Sequence, residues 1–262
     1  MASFSTLLVS HNLHTATVTL NRPEVRNAFN ATAIAELTNV FDMLGQDASV
    51  RAIVLRANGS AFCAGADLQW MQQMAGFSDA ENLADATLLA QMLYAIYRCP
   101  KPVVACVQGD CYAGGMGLVA ACDIAVAADQ VQFCLSEVRL GLIPATISPY
   151  VIRAMGENAA RRYFLTAERF DAGEALRIGF VHKMVAAAEL DNAVNDIADA
   201  LCKASPHAVR EAKRLVREIA GTPLDESVMA DTAQRIAAMR ASDEGREGVQ
   251  AFLEKRKPNW LS

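Results

Sequence analysis

The stretch Gly109-Asp-Cys-Tyr-Ala-Gly-Gly-Met-Gly-Leu-Val-Ala-Ala-Cys-Asp123 decides the fold of this 262-residue chain. It follows an apolar, largely β-branched run at 103–107, which predicts a buried strand, and its small apolar residues at 116–122 predict a tightly packed helix. A helix that begins after a glycine turn leaves backbone N–H groups free, and these attract negative charge. The stretch therefore predicts a site for a developing anion, the alternative being a glycine-rich packing turn.

A second glycine turn and a single carboxylate extend this prediction. An apolar run at 52–55 leads into Asn58-Gly-Ser-Ala-Phe-Cys-Ala-Gly-Ala-Asp67, and Asp67 is expected to cap a helix that begins at Leu68. One N–H donor from each turn would form an oxyanion hole around a carbonyl oxygen. Glu137, between two uncharged residues, would be the acid or base beside the adjacent carbon. Without a ligand, the same residues would be a hairpin or cap and a surface glutamate.

Composition and charge exclude several classes of protein. The chain is 53% hydrophobic and 20% charged, which fits a soluble globular protein of one large domain, with or without a helical appendage. No run approaches the ~20 apolar residues of a membrane span, and the N-terminus lacks the features of a secretory signal, so we expect a cytoplasmic protein. A net charge of −5 argues against a nucleic-acid surface.

Cysteine and histidine usage predicts neither disulfides nor a metal site. The seven cysteines have no Cys-x-x-Cys spacing and mostly lie in apolar runs, as reduced core residues do. The four histidines, at positions 11, 14, 182 and 207, do not cluster with them. We therefore expect no metal ion and no disulfide framework.

The sequence divides into an alternating part and a helical part. Strand and helix signals alternate through residues 1–186, and the recurrence of strand, turn and helix favours a parallel α/β core. Residues 187–262 predict helices at 188–203, 206–220, 224–241 and 243–256. Further local predictions are a C-cap at Gly45, capping boxes at Ser78/Glu81 and Asp171/Glu174, and a strand at 179–185.

Motifs in a fixed order span nearly the whole chain. They are Asn21-Arg-Pro23, Arg26-Asn-Ala28, Ala61-Phe-Cys-Ala-Gly-Ala-Asp67, Lys101-Pro-Val-Val-Ala105, Ala113-Gly-Gly-Met-Gly117, Cys122-Asp-Ile-Ala125, Glu137-Val-Arg-Leu-Gly-Leu-Ile-Pro144 and Phe252-Leu-Glu-Lys-Arg-Lys-Pro258. Together they resemble the enoyl-CoA hydratase/isomerase (crotonase) superfamily. The resemblance implies an α/β fold: a crotonase-like spiral of ββα units at 1–186 with the acyl-CoA site, and a C-terminal helical trimerisation region at 187–262. It also implies a homotrimer or a dimer of trimers.

Matched position by position, the resemblance also assigns site residues. It places the oxyanion hole at the N–H groups of Ala66 and Gly114, which would hold the thioester carbonyl of an acyl-CoA. Phe252 and Lys255 match a C-terminal helix that closes over the CoA, often from a neighbouring subunit; alternatively, Lys255 is one charge in a solvated run. No cofactor is implied beyond the CoA of the substrate. The contacts with CoA, largely through backbone, would come from Arg26, Ala28, Ala64, Asp67 and Leu68.

One departure from the family pattern concerns the catalytic carboxylates. Hydratases of this superfamily carry two glutamates, whereas this chain has Gly117 at the first of the two positions. Glu137 is then the only catalytic carboxylate that the resemblance assigns. A lone glutamate there resembles the Δ3,Δ2-enoyl-CoA isomerases of the superfamily. The absence of a like charge at position 117 leaves burial as the main expected cause of a shifted pKa at Glu137.

The segment after Glu137 points to a particular substrate. Ser136-Glu-Val-Arg-Leu-Gly-Leu-Ile-Pro-Ala-Thr-Ile-Ser-Pro-Tyr-Val151 resembles the bacterial methylglutaconyl-CoA hydratase group, and Thr146, Ser148 and Tyr150 offer hydroxyls for a polar acyl end. The first prediction is hydration of a branched, carboxylated 2-enoyl-CoA such as 3-methylglutaconyl-CoA. The alternatives are an enoyl-CoA isomerase that uses Glu137 alone and a non-catalytic acyl-CoA-binding subunit.

Overall fold

A computed structural model describes residues 4–261, in which strands and helices alternate as far as the C-terminal helices. The strands are β1 (Leu7–Asn12), β2 (Thr15–Leu20), β3 (Ala52–Ala57), β4 (Ala61–Cys63), β5 (Val103–Val107), β6 (Asp110–Tyr112), β7 (Ile124–Ala128), β8 (Gln132–Cys134), β9 (Phe170–Asp171) and β10 (Lys183–Val185). The α-helices are α1 (Ala31–Gln46), α2 (Leu68–Met74), α3 (Asp79–Arg98), α4 (Gly114–Ala121), α5 (Ser148–Thr166), α6 (Ala172–Arg177), α7 (Leu190–Lys203), α8 (Pro206–Ile219), α9 (Glu226–Ala241) and α10 (Asp243–Leu253). Short 3-10 helices cover Pro23–Val25, Glu137–Leu140, Ala187–Glu189 and Asn259–Leu261.

The strands form two sheets. The larger sheet has the order β1-β2-β3-β5-β7-β10 and is parallel except for the β1–β2 hairpin. The smaller sheet has the order β4-β6-β8-β9 and is parallel except for the β8–β9 pair. The pairs β3–β4, β5–β6 and β7–β8 each give one strand to each sheet before the chain enters a helix. The fold is therefore a succession of ββα units whose equivalent strands stand side by side.

The central strands of the larger sheet are buried on both faces. Every residue of β5 is buried, and so is every residue of β3 except Arg56. Parallel strands covered on both sides need no polar face, which explains why these segments are continuous apolar runs. Helix α7 packs on β3, β5 and β7, whereas α8 and α9 have no buried residue in the single chain. Because α7 belongs to the packing of the core, the domain boundary at residue 186 stays a prediction.

Several local predictions are confirmed. The four predicted C-terminal helices are α7 to α10, close to the expected bounds. The capping box at α3 is complete, since the hydroxyl of Ser78 accepts the N–H of Glu81 and the Glu81 carboxylate accepts the N–H of Ser78 at 2.8 Å. Asp67 caps α2 as expected. Within residues 4–261, no helix combines the length and the apolar character that crossing a bilayer requires.

Three local predictions were wrong. Gly45 lies inside α1, which ends at Gln46; a Cβ on Gly45 would stand 3.1 Å from Cδ of Pro100, so close packing and not a cap explains the glycine. In the predicted strand at 179–185 only Lys183–Val185 pairs, because Gly179, with a φ of 78°, turns the chain after α6. The predicted capping box at α6 is incomplete. Asp171 caps the helix, but the Glu174 carboxylate binds Arg177 and Tyr163 instead of the backbone of Asp171.

Strand β1 is the longest of the strands that the sequence did not predict, the others being the short strands β4, β6 and β9 of the smaller sheet. It is the outer strand of the larger sheet and pairs only with β2, from Leu7 opposite Leu20 to Asn12 opposite Thr15. Only Leu7 of its six residues is buried, so the strand shows no alternation of polar and apolar side chains. The backbone pairing with β2, rather than the burial of its side chains, defines this strand.

Candidate active site

The start of α4 is held in an unusual backbone conformation. Ala113, the residue before the helix, has a φ of 48° and a ψ of −122°, which for a non-glycine residue costs about 1–3 kcal/mol. Its N–H donates to the carbonyl of Cys134 at 2.8 Å, and this bond ties the turn to β8. Gly114, the first residue of α4, donates no hydrogen bond within residues 4–261. Its N–H is therefore available at the N-terminus of a helix.

The turn that carries Ala66 lies beside α4. Phe29 donates its N–H to the carbonyl of Gly65 at 2.9 Å, and its own carbonyl accepts the N–H of Asp67 at 3.1 Å. These two bonds flank Ala66, whose N–H has no acceptor in the described part of the chain. Gly65 has a φ of 92°, and a Cβ on it would stand 3.7 Å from the nitrogen of Gly114. The two available N–H groups therefore belong to turns that lie side by side.

Close packing explains the glycines at the start of α4. A Cβ on Gly114 would stand 2.3 Å from Cζ of Phe29, and a Cβ on Gly115 would stand 2.7 Å from the carbonyl oxygen of Cys63. Phe29 is itself buried, with 3% of its surface exposed, so its ring has little room to move. Any side chain at position 114 would therefore displace the wall of the oxyanion turn.

Glu137 is the first residue of the 3-10 helix that follows β8. Its Oε2 atom is buried and has no hydrogen-bond partner among the described residues. Burial raises the pKa of this carboxyl because the charged form loses its hydration, and the residue's own backbone N–H offsets only part of the effect. A carboxyl oxygen that is buried without a partner is costly for the fold and is typical of acid–base residues.

One apolar cavity of about 450 Å³ brings these groups together. Its walls come from α2, α3, the two glycine turns and residues 136–147. Its titratable side chains are Glu137 and Asp85, and the lining contributed by residues 4–261 includes no lysine or arginine. The predicted site residues that line the cavity are Ala64, Ala66, Leu68, Gly114, Glu137 and Thr146. Two N–H donors and a buried carboxyl in one apolar space can stabilise an oxyanion and move a proton at the neighbouring carbon.

Other predicted contacts lie at the edge of this cavity. Arg26 and Ala64 line a second pocket of about 290 Å³, and Ala64 belongs to both, so the two spaces adjoin. Ala28 is buried, and its carbonyl accepts a hydrogen bond from Nη1 of Arg22 at 2.6 Å. The CoA contacts of these residues stay predictions.

The side chain of Asp67 has a structural task. It accepts the N–H groups of Gln69 at 2.8 Å and Trp70 at 3.4 Å, and it forms an ion pair with Arg22 at 2.8 Å. Burial alone would raise the pKa of Asp67, but the bond from Arg22 and the two backbone N–H groups outweigh it and lower the pKa. Only the backbone of Asp67 is left for a contact with CoA.

We expect Asp67→Asn to lower the free energy of unfolding by about 3 kcal/mol at neutral pH, because it leaves Arg22 half-buried without its partner. The folded-state pKa of Asp67 is depressed. Its stabilising effect is therefore complete above the unfolded pKa of about 3.9 and is lost as the pH falls through the folded value. Urea denaturation of both proteins, at neutral pH and in acid, measures this.

The control for Asp67→Asn is Asp42→Asn, which breaks the exposed pair with Arg98. That change should cost less than about 1 kcal/mol. Equal losses in the two variants, or a loss in Asp67→Asn that does not shrink in acid, would contradict the assignment.

Four further predicted residues, besides Arg26, Ala28 and Asp67, do not line the cavity of their own chain. The hydroxyl of Ser148 donates to the carbonyl of Ala145 at 2.8 Å, and the ring of Tyr150 packs at the edge of Tyr97, with 5.4 Å between ring centroids. We therefore correct the predicted set of acyl-facing hydroxyls to Thr146. At the C-terminus, Phe252 is 81% exposed and Lys255 lies just after α10. Their contact with CoA stays a prediction.

Two polar side chains of the cavity wall, Trp70 and Asp85, were missed by the sequence predictions. Nε1 of Trp70 on α2 donates to Oδ1 of Asp85 on α3 at 3.2 Å. The cavity face of α3 consists of Asn82, Asp85, Ala86 and Leu89, at the spacing of one helix face. An acidic residue at helical spacing from Ala86 and Leu89 was the available signal.

Comparisons with known proteins identify relatives that match nearly the whole chain. A family model described as "Enoyl-CoA hydratase/isomerase" matches residues 11–262. A crystal structure of an enoyl-CoA hydratase from Shewanella pealeana is 42% identical, with a TM-score of 0.95 over 98% of this chain and 96% of that chain. Mevalonyl-coenzyme A hydratase of Aspergillus fumigatus is 34% identical over 94% of this chain and 91% of its own length. Trans-2-decenoyl-[acyl-carrier-protein] isomerase of Streptococcus mutans is 30% identical over 98% of both chains.

Proposed function

The chain belongs to the enoyl-CoA hydratase/isomerase family, and from this membership we propose that it hydrates a branched, carboxylated 2-enoyl-CoA of the 3-methylglutaconyl-CoA type. As a member of this family, the chain has the crotonase fold and is an enzyme of the enoyl-CoA hydratase type. The observation that carries the proposed chemistry is the buried, unpartnered Oε2 atom of Glu137, which lines the same cavity as Ala66 and Gly114.

The proposed reaction uses these three groups. The N–H groups of Ala66 and Gly114 donate to the thioester oxygen, which becomes negatively charged when water adds to Cβ. The carboxylate of Glu137 takes a proton from that water while the new C–O bond forms, and the pair of electrons of the C=C bond moves toward the thioester oxygen. Protonated Glu137 then gives its proton to Cα, so that one water is added and the carboxylate is restored.

Two observations support a branched acyl group. The segment 136–151 resembles the methylglutaconyl-CoA hydratase group, and one relative acts on mevalonyl-coenzyme A, by its name. A distal carboxylate would meet the Thr146 hydroxyl, but no cation is among the described lining residues. Its recognition therefore needs a donor that is neutral.

The alternative with specific support is an enoyl-CoA isomerase. Glu137 alone could move a proton between Cγ and Cα, and a relative 30% identical to this chain is named as an isomerase. A non-catalytic acyl-CoA-binding subunit is less well supported, because such a protein would gain nothing from an unpaired carboxyl in its cavity.

The test is one assay of the purified protein with 3-methylglutaconyl-CoA, crotonyl-CoA and a 3-enoyl-CoA, with the products identified by mass. We expect 3-methylglutaconyl-CoA to gain one water and to have the highest kcat/KM of the three. A shift of the double bond in the 3-enoyl-CoA without a change of mass, together with no hydration, would assign the isomerase instead. Absence of both reactions would favour the third alternative, a non-catalytic acyl-CoA-binding subunit.

We also propose that the chain works as a homotrimer or a dimer of trimers. The support is a set of exposed apolar side chains on the last three helices, which a single chain leaves uncovered. They are Val216, Met229, Ile236, Val249, Phe252 and Leu253. In such an assembly Phe252 of α10, and Lys255 just after this helix, could close over the CoA of a neighbouring subunit.

A further inference from the structure

Asp85 is a carboxyl group in the acyl cavity that no step of the proposed reaction uses. It is held by Trp70, which is 5% exposed and donates Nε1–H to Oδ1 of Asp85. The ring of Trp70 lies 6.3 Å from the ring of Phe29, and the ring of Phe29 packs against Gly114. Asp85 is therefore fixed to the same aromatic wall as the oxyanion turn, rather than moving freely at the surface.

Asp85 does not stand where the absent family glutamate would be. Position 117 packs against Leu93 of α3, whose Cδ2 would be 3.4 Å from a Cβ on Gly117. Asp85 precedes Leu93 on the same helix by about 12 Å along its axis. Asp85 lines the cavity together with Asn82, Ala86 and Leu89, and this separation keeps it away from position 117.

No cation neutralises Asp85 in the described residues. α2 carries no charged side chain, and neither do residues 142–147. On α3 the only basic residue is Arg98, which is paired with Asp42 at the other end of the helix, and Glu81 is bound to Ser78. The other titratable group in the cavity is Glu137, which is also acidic. A second carboxylate in this space meets only acidic and neutral groups.

We propose that Asp85 is the specificity-determining residue for the distal carboxylate of the acyl group, which it binds by sharing one proton. This inference rests on the proposed function. Two carboxyl groups at hydrogen-bond distance retain a proton between them, because both cannot ionise without a large cost. Burial already raises the pKa of Asp85, against the opposing bond from Trp70, and a second carboxylate raises it further.

The test compares two substrates that differ only in the distal carboxylate, 3-methylglutaconyl-CoA and 3-methylcrotonyl-CoA, over a pH range of about 6–9. With the wild-type protein, kcat/KM for the carboxylated substrate should fall tenfold per pH unit above the pKa values of free Asp85 and of the free substrate carboxylate, because the complex holds one proton more than the separated molecules. The neutral substrate should lack this decrease. Any limb that both substrates share is assigned to Glu137.

Variants of Asp85 and Trp70 then identify the group that holds the shared proton. In Asp85→Asn the amide donates without a titrating proton, so the decrease specific to the carboxylated substrate should disappear. In Trp70→Phe the bond that favours ionised Asp85 is lost, so the decrease should move to higher pH. The matched control is Asp79→Asn, an exposed acidic residue in the first turn of α3 outside the cavity, which should leave both profiles as in the wild type.

The outcomes separate this inference from the function on which it rests. If 3-methylcrotonyl-CoA is hydrated and the two substrates have the same pH profile, Asp85 does not share a proton with the substrate. The same conclusion follows if Asp85→Asn keeps the decrease. If neither substrate is hydrated, the proposed function fails first and the inference fails with it.

Discussion

Replacing Glu137 with glutamine should lower kcat for hydration by about 10³-fold, because an amide of the same shape can neither take a proton from water nor give one to Cα. KM should change little, since the N–H groups of Ala66 and Gly114 remain. Steady-state kinetics with 3-methylglutaconyl-CoA measures both constants. The raised pKa of Glu137 adds a pH signature. Below that pKa the base is protonated, so kcat/KM of the wild type should decrease on the acid side, starting above the usual range for glutamate.

Stability provides the control for Glu137→Gln. Because burial raises the folded-state pKa of Glu137, its ionised form weakens the fold at neutral pH, and the glutamine variant should unfold at the same temperature or higher. Glu157→Gln is the matched comparison, since this exposed glutamate pairs only with Arg161 on the surface and should keep full activity. A Glu137→Gln protein with more than about a tenth of the wild-type kcat would mean that another group transfers the proton.

Gly117→Ala should destabilise the fold by about 3 kcal/mol, the upper end of the usual cost of overpacking. The added Cβ would stand 2.3 Å from Cγ2 of Ile147 and 2.9 Å from its Cβ. Ile147 is 2% exposed and β-branched, so its side chain has no alternative space. Thermal and urea unfolding of the purified variant measure the loss. Gly76→Ala is the control, because its Cβ would meet only the carbonyl of Gln73 at 3.6 Å.

A double variant tests the stated cause of this loss. Ile147→Ala removes the colliding methyl group, so Gly117→Ala combined with Ile147→Ala should be less destabilised than the sum of the two single changes, by at least about 1 kcal/mol. If the two losses of stability simply add, the strain in Gly117→Ala does not come from the contact with Ile147. The same collision explains why Gly117→Glu alone should not create a two-glutamate site: Ile147 and Leu93 fill the space that its side chain would need.

The sequence by itself determined the order of the elements. The apolar runs of β3 and β5, the glycine turns after them and the four C-terminal helices follow from composition and spacing, because burial and helix periodicity leave local patterns. The same patterns marked the two glycine turns as sources of available N–H groups, and the resemblance to the family assigned these to Ala66 and Gly114. Edge strand β1 left no such pattern, since only one of its residues is buried.

Only the tertiary structure decided which side chains share the cavity. Thr146, Ser148 and Tyr150 look equivalent in sequence, but only Thr146, which precedes α5, lines the cavity. Asp85 and Trp70 lie on different helices, so their hydrogen bond depends on how α2 and α3 pack and not on local spacing. Position 117 is glycine for a reason that lies thirty residues away, where Ile147 packs against it. Contacts between distant segments carry no periodic signal, and for that reason the three-dimensional packing had to supply them.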